Sequence, residues 1–199
     1  MFSAIEKKSQ NKIRNLFDKA DTTTLYYHNL RHTIEVVNLI DLMSLDLSDI
    51  DASLLRIAGW FHDVGYLYTY HNHEDKGMQI AFDYLRKTEL ENRYIQIIIS
   101  CIEATKLSIE PRNKLEEIIK DADIGFGVTN GFFKKGPLLR KEWVAKLEKK
   151  HSDLEWEKLQ LNFLSEVVFY TDFAKRKLKP ILEKNMVLQA KILKKVQEK

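Results

Sequence analysis

SDIDASLLRIAGWFHDVGY, residues 48–66, carries the clearest helical signal in the chain. Ser48 and Asp51 have the spacing of a helix-capping box, which marks the start of a helix. Apolar residues then recur at steps of one, three or four, as they do on one helical face. They are Leu54, Ile57, Ala58 and Phe61. The pattern predicts a helix that stops at a glycine, position 65, and carries His62 and Asp63 in its last turn.

Helical periodicity continues on both sides of this stretch. The preceding segment, residues 30–43, places apolar residues on one face and predicts a helix. After an aromatic loop over residues 66–72, further helices are predicted over residues 74–87, with Asn72 as a cap, and over residues 88–102, where Thr88 and Glu91 have capping-box spacing.

The second half of the chain is also predicted to be helical. A short helix starting at Asn113 is expected to end at Asp123, because the glycines that follow favour a loop. Gly136-Pro137 is expected to open a helix that ends near residue 150. Ser152 and Glu155 predict the start of a long helical region bent at Pro180.

The composition favours an all-α protein with one domain over residues 1–199. The chain is 44% hydrophobic and has only 7 Gly and 3 Pro, which are too few turn residues for a protein with many strands. The net charge of +3 is too small to predict nucleic-acid binding. No signal peptide or long apolar span is present, so neither a membrane partner nor secretion is expected, and the predicted location is the cytoplasm. The single cysteine, Cys101, lies in an apolar run and is interpreted as a buried thiol.

Histidines cluster in the first part of the chain. Five of the 6 fall between positions 28 and 73. They are His28, His32, His62, His71 and His73. Imidazole nitrogens together with a carboxylate such as Asp63 suit a divalent cation that keeps positions open for water. The alternative is that these histidines are loop residues and one satisfied core histidine, and the spacing alone leaves both interpretations open.

Ordered motifs connect this cluster to a known family. The chain resembles the HD-domain superfamily of metal-dependent phosphohydrolases, and most closely its small stand-alone bacterial members. The residues that carry the resemblance are Tyr27-His28-Asn29-Leu30-Arg31-His32, Trp60-Phe61-His62-Asp63-Val64-Gly65-Tyr66, His73-Glu74-Asp75-Lys76-Gly77, Ala104-Thr105-Lys106 and Asp121-Ala122-Asp123-Ile124-Gly125. The resemblance implies a compact helical bundle of the HD type, with a motif core at about residues 25–130 and C-terminal helices at about 137–199 packing onto it.

The resemblance also implies a set of metal ligands, namely His32, His62, Asp63 and Asp123. Asp123 is preferred over Asp121, which is interpreted as a surface or capping carboxylate. One or two divalent ions are expected per chain, and the sequence leaves Mn, Mg, Fe, Co, Ni and Zn open. His73 matches a position that binds a second metal ion in some family members.

The same resemblance suggests catalytic groups. His28 is similar in position to the histidine that protonates the leaving oxygen in cyclic-nucleotide phosphodiesterases, a branch of the superfamily, although a supporting role remains open. Glu74 is the second candidate acid or base, and Asp63 is counted with the catalytic residues. Arg31, Lys76 and Lys106 are candidates for phosphate binding, with solvated charges as the alternative. Tyr66, Tyr68 and Tyr70 could stack on a base or simply pack against helices.

The expected function is hydrolysis of a small phosphate ester by a metal-activated water, with a nucleotide or related phosphomonoester as substrate. Three alternatives remain open: a cyclic-nucleotide or other phosphodiesterase, a non-catalytic module that binds a nucleotide or metal, and oxidation at a di-iron site that would need both His71 and His73. A homodimer is compatible with the sequence.

Overall fold

The computed structural model describes residues 1–198, and within them every regular element is helical. The ten α-helices are α1 (Phe2–Lys19), α2 (Leu30–Met43), α3 (Asp49–Phe61), α4 (His73–Leu85), α5 (Asn92–Ala104), α6 (Lys114–Val128), α7 (Phe132–Leu147), α8 (Asp153–Glu166), α9 (Asp172–Lys177) and α10 (Lys179–Gln197). A 3-10 helix, Val64–Leu67, lies between α3 and α4. The predicted all-α class is confirmed.

The chain divides into two compact units, residues 1–123 and 124–199. The sequence predicts one domain, and that remains a prediction. In the first unit α3 is the central helix, packing against α1, α2, α4 and α5. Its side chains from Ala52 to Phe61 are buried except for Arg56. Arg56 binds Glu6 of α1 at 2.8 Å and Asp41 of α2 at 3.3 Å, so one guanidinium ties the three helices together.

The helix over residues 30–43 and the Ser48 cap of α3 are confirmed, but the predicted end of α3 is wrong. The helix ends at Phe61, four residues earlier than predicted. His62 and Asp63 therefore lie in the turn between α3 and the 3-10 helix instead of inside the last helical turn. Gly65 is buried within the 3-10 helix, so it is not a helix stop.

Two further boundaries differ from prediction. At the end of α4, the Thr88 hydroxyl donates to the carbonyl of Leu85 and accepts from the N–H of Leu90. The residue at the N-cap position of α5 is Glu91, whose side chain makes no capping hydrogen bond. The predicted capping box is therefore wrong. Asn72 does precede α4, but in a left-handed conformation and without a side-chain cap.

Helix α6 starts as predicted and continues beyond its predicted end. The side chain of Asn113 accepts hydrogen bonds from the backbone N–H groups of Leu115 and Glu116, which confirms the cap. The helix then runs through both glycines to Val128, because a helix tolerates isolated glycines at a modest cost. Asp123 therefore lies within a helix rather than at its end.

The second unit contains α7 to α10, with α10 packed against α8 and α9. Helix α7 starts at Phe132, so Pro137 lies inside it and does not open it, contrary to prediction. Ser152 and Glu155 form the predicted capping box. The region that follows is not one helix bent at Pro180. It is three helices, and Pro180 sits in the first turn of the last one, where a missing N–H costs little.

Helix α1 is the element that the sequence does not predict clearly. Its buried positions are Ile5, Ser9, Ile13 and Phe17. They are spaced by four, but a serine interrupts the apolar stripe and lysines surround it. Among residues 1–198, no helix combines the length and apolar character needed to cross a bilayer.

Candidate metal centre

Four potential ligands of the first unit come from α2, from the turn that follows α3, and from α6. His32 lies in the first turn of α2, which Asn29 fixes by accepting hydrogen bonds from the backbone N–H groups of Arg31 and His32. His62 and Asp63 follow the end of α3, and Asp123 comes from α6. The structure brings together all four residues that the resemblance implies.

The donor atoms of these residues are closely grouped. His32 Nε2 lies 3.2 Å from Asp63 Oδ2 and 3.3 Å from Asp123 Oδ1. His62 Nε2 lies 3.3 Å and 3.6 Å from the same two oxygens. The ligand atoms of His32, His62 and Asp123 all lie within 4.8 Å of one another. Nε2 of each imidazole therefore faces the carboxylates of both Asp63 and Asp123.

These separations fit a shared cation. Nitrogen and oxygen ligands lie about 2.0–2.2 Å from a zinc-sized ion, so neighbouring ligands of one such ion are about 3.0–3.5 Å apart. The four measured distances of 3.2 to 3.6 Å fall in or next to that interval. Two imidazoles and two carboxylates also form the mixed nitrogen and oxygen set that accepts first-row divalent metals.

The orientation of His62 supplies independent evidence for a ligand. Its Nδ1 lies 2.8 Å from the carbonyl oxygen of Gly59, and since a carbonyl only accepts, Nδ1 carries the proton. The other nitrogen, Nε2, is fully buried and has no hydrogen bond of acceptable geometry. A histidine whose Nδ1 donates to a backbone carbonyl has Nε2 directed away from that carbonyl and available to a metal ion, as in metal-binding histidines.

The electrostatics also favour a cation. Burial would lower the pKa of His62, but the carboxylates of Asp63 and Asp123 outweigh burial and hold this pKa well above its ordinary value. Burial would raise the pKa of Asp63, yet His62 and His32 keep it well below its usual range. Without a metal ion, protons on the imidazoles balance the buried carboxylates. A bound cation would take over this role and release those protons.

His73 and Glu74 extend the cluster on one side. His73 Nε2 lies 3.5 Å from Asp63 Oδ1, the carboxylate oxygen that is not directed at His32 and His62. His73 Nδ1 lies 3.4 Å from Glu74 Oε2. Asp63 thus faces His32 and His62 with one carboxylate oxygen and His73 with the other.

His28 lies beside the same centre and belongs to an aromatic cluster. Its ring centroid is 5.8 Å from that of His32, in an edge-to-face arrangement. It also stacks on Tyr66 at 4.1 Å. Tyr70 contacts Tyr66 edge-on at 5.0 Å. Of the three loop tyrosines, Tyr68 is the exposed one, with 58% of its surface accessible.

The three predicted phosphate-binding cations all have protein partners. Arg31 binds Glu35 at 3.1 Å on the surface, and Lys106 binds Asp75 at 2.6 Å. Lys76 donates to Gln79 at 3.0 Å and lies 5.6 Å from the ring of Tyr68. A phosphate would have to compete with these partners or share them.

Three residues in this part of the first unit make close contacts that the sequence does not predict. Lys120 of α6 is buried, and its amine donates to the carbonyls of Ala104, Lys106 and Ile109 at 3.0, 2.7 and 2.8 Å. A Cβ on Gly65 would lie 1.9 Å from the carbonyl oxygen of His73. A Cβ on Gly77 would lie 3.0 Å from the carbonyl oxygen of Phe61. The glycines fall within the quoted motifs, but nothing in the sequence reveals the lysine's buried position.

Asp121 also differs from expectation. It is 1% exposed and lies inside α6, so it is neither a surface nor a capping carboxylate. Asp123, two residues further on, is the one whose Oδ1 faces both histidines.

Comparison with known proteins points to one family. The family model of the HD domain matches residues 29–124, a range that contains all four potential ligands. No curated protein and no solved structure matches the chain.

Proposed function

Because residues 29–124 are an HD domain and the chain thus belongs to the HD-domain superfamily, we propose that it is a metal-dependent phosphohydrolase that cleaves a small phosphate ester. The proposed substrate class is a nucleotide or a related phosphomonoester. The observation that carries the proposal is the group formed by His32, His62, Asp63 and Asp123, with nitrogen-to-oxygen distances of 3.2 to 3.6 Å.

In this proposal His32, His62, Asp63 and Asp123 hold a divalent cation. When bound, such an ion lowers the pKa of a water molecule and neutralises phosphoryl oxygens. The backbone of Gly59 keeps Nε2 of His62 directed at the centre. Burial of His62 and Asp63 excludes competing water from their donor atoms and strengthens every charge interaction there.

His28 is the proposed proton donor to the leaving oxygen. A histidine can carry a proton near neutral pH and give it to a departing alkoxide. Its position beside His32, with ring centroids 5.8 Å apart, places it next to the ligand group rather than within it. Glu74 is the second candidate, since its carboxylate lies 3.4 Å from His73, which in turn faces Asp63.

Substrate charge would be met by side chains at the edge of this group. Arg31, Lys76 and Lys106 are the candidates, and each has a partner that a phosphate could replace. Asp63 Oδ1 and His73 Nε2 are the proposed ligands of a second ion, if the reaction uses one.

The test is phosphate release by metal-loaded protein. Protein stripped with a chelator and reloaded separately with Mn, Co, Ni or Mg is expected to hydrolyse at least one member of a panel of nucleoside monophosphates and simple phosphomonoesters. Asp63→Ala should abolish release while the helical circular dichroism stays unchanged. Asp83→Ala, which removes an exposed carboxylate of α4, is the matched control and should retain full activity.

Two outcomes would redirect the proposal. Hydrolysis of cyclic nucleotides or bis(p-nitrophenyl) phosphate, without release from monoesters, would indicate a phosphodiesterase. A nucleotide that co-purifies unchanged, with no product from any ester and any metal, would contradict catalysis and indicate a binding module.

A further inference from the structure

Tyr66 lies between two imidazoles beside the candidate metal centre. Its ring centroid is 4.1 Å from that of His28, with an interplanar angle of 19°, and 3.7 Å from that of His73, with an angle of 20°. The two imidazole centroids are 6.3 Å apart. If both imidazoles stacked on the same face of the phenol ring at the distances given above, their centroids would lie closer together than this. His28 and His73 therefore cover opposite faces of the phenol ring.

The backbone around Tyr66 holds this ring in place. Its N–H donates to the carbonyl of Asp63 at 3.1 Å within the 3-10 helix. The preceding residue, Gly65, lies so close to the backbone of His73 that a methyl group could not fit between them. Tyr70 closes one edge of the ring. The ring thus connects the segment before α2 with the first residue of α4.

The contact with both imidazoles is made by the ring of Tyr66. Since both faces are covered, the ring cannot stack on a substrate base. What the ring can do in this arrangement is hold the two imidazoles in position.

We propose that Tyr66 is a positioning residue whose ring, sandwiched between His28 and His73, fixes the orientation of both imidazoles at the metal centre. Rotation of a histidine ring about its last side-chain bond has broad minima, so the ring needs an external contact to select one orientation. A flat neighbour 3.7 to 4.1 Å away supplies that contact. The expected effect of Tyr66 on turnover rests on the proposed function, whereas its effect on the orientation of the His28 and His73 rings does not.

The test compares Tyr66→Phe, which keeps the ring, with Tyr66→Leu, which removes it. Tyr68→Leu is the matched control, because Tyr68 is exposed and lies two residues away. The first readout is the chemical shift of the imidazole C–H groups in metal-free protein. Stacking on Tyr66 shifts the His28 and His73 signals upfield, so Tyr66→Leu should lose this shift while Tyr66→Phe and Tyr68→Leu keep it.

The second readout is kinetic. Tyr66→Leu should lower kcat by about tenfold to hundredfold, the range expected for a misplaced reacting group, with little change in KM. Mn²⁺ affinity of the site formed by His32, His62, Asp63 and Asp123, measured by equilibrium dialysis, should stay within about twofold, because those four ligands are untouched. Tyr66→Phe should restore wild-type kcat. If Tyr66→Leu fails to fold, Tyr66→Met, with a flexible side chain of similar bulk, replaces it.

Each outcome decides the inference. Unchanged imidazole shifts in the leucine or methionine variant would overturn it, and so would lost shifts with an unchanged kcat. If the wild-type protein releases phosphate from no ester, the proposed function fails, but the shifts still decide whether Tyr66 stacks on both imidazoles.

Discussion

Replacing Gly65 with alanine should displace His73, which lies at the edge of the candidate metal centre. The added Cβ would lie 1.9 Å from the carbonyl oxygen of His73, 2.7 Å from its carbonyl carbon and 3.0 Å from its Cα. Non-bonded carbon atoms prefer separations of about 3.5–4.0 Å, so the two backbones must move apart by more than about 1 Å. All three contacts are with backbone atoms, so a side-chain rotation cannot relieve them.

The expected cost follows from this displacement. Overpacking of a buried site costs about 1–3 kcal/mol and sometimes more, and backbone contacts place this variant at the upper end. For a chain of this size each kcal/mol lowers Tm by about 2–4 °C, so Tm should fall by about 5–10 °C. Moving His73 by about 1 Å should also lower kcat by about hundredfold.

The assay is thermal unfolding of metal-free protein together with phosphate release below Tm. Gly136→Ala is the matched control, because its Cβ would meet only the end of the Gln160 side chain, at 2.9 Å, which can rotate away. A Gly65→Ala variant with the same Tm and kcat as Gly136→Ala would refute the close approach of the 3-10 helix to α4.

Four further outcomes are expected. Lys120→Met should lower the free energy of unfolding by about 2–4 kcal/mol in urea titrations, because three carbonyls lose a charged donor. Lys114→Met, at an exposed position, is the control, and the same free energy of unfolding in both variants would contradict this prediction. His28→Asn should reduce kcat by about 10²–10⁴-fold while Mn²⁺ affinity is kept, and a change confined to KM would argue against proton donation. Cys101, whose pKa is raised to about 12 by burial and then by Glu116, should react with a thiol reagent at pH 8 only after denaturation, so rapid labelling of native protein would disprove its burial. The raised pKa values of His32 and His62 mean that protons compete with the cation, so Mn²⁺ affinity in dialysis should fall as pH falls, and a flat profile would exclude imidazole ligands.

The sequence predicts the helical fold well where local signals are strong. Apolar spacing defines α2 to the residue, and side-chain caps at Ser48, Asn113 and Ser152 mark three helix starts. These features depend on neighbours within one helical turn, so they can be read from the chain. The ordered histidine and aspartate motifs added four potential ligands, whose side chains the structure brings together from α2, the turn after α3, and α6.

Errors arise where a local signal is weak or where a distant contact decides. Glycine in α6 and proline in α7 are poor helix residues, yet both helices continue through them, because the propensity of a single residue is only a weak preference. The sequence presents Gly65 as a helix stop, whereas in the structure its lack of a side chain allows close contact with His73, eight residues away. Lys120 illustrates the same limit, since its carbonyl partners lie 11 to 16 residues earlier in the chain.

An anomalous difference map from a crystal soaked in Mn²⁺ tests the metal centre itself. One strong peak is expected within bonding distance of Nε2 of His32 and His62, Asp63 and Oδ1 of Asp123, and this peak should disappear in Asp123→Ala. A peak elsewhere, or none at these residues at saturating Mn²⁺, would contradict the metal centre and the hydrolytic function built on it.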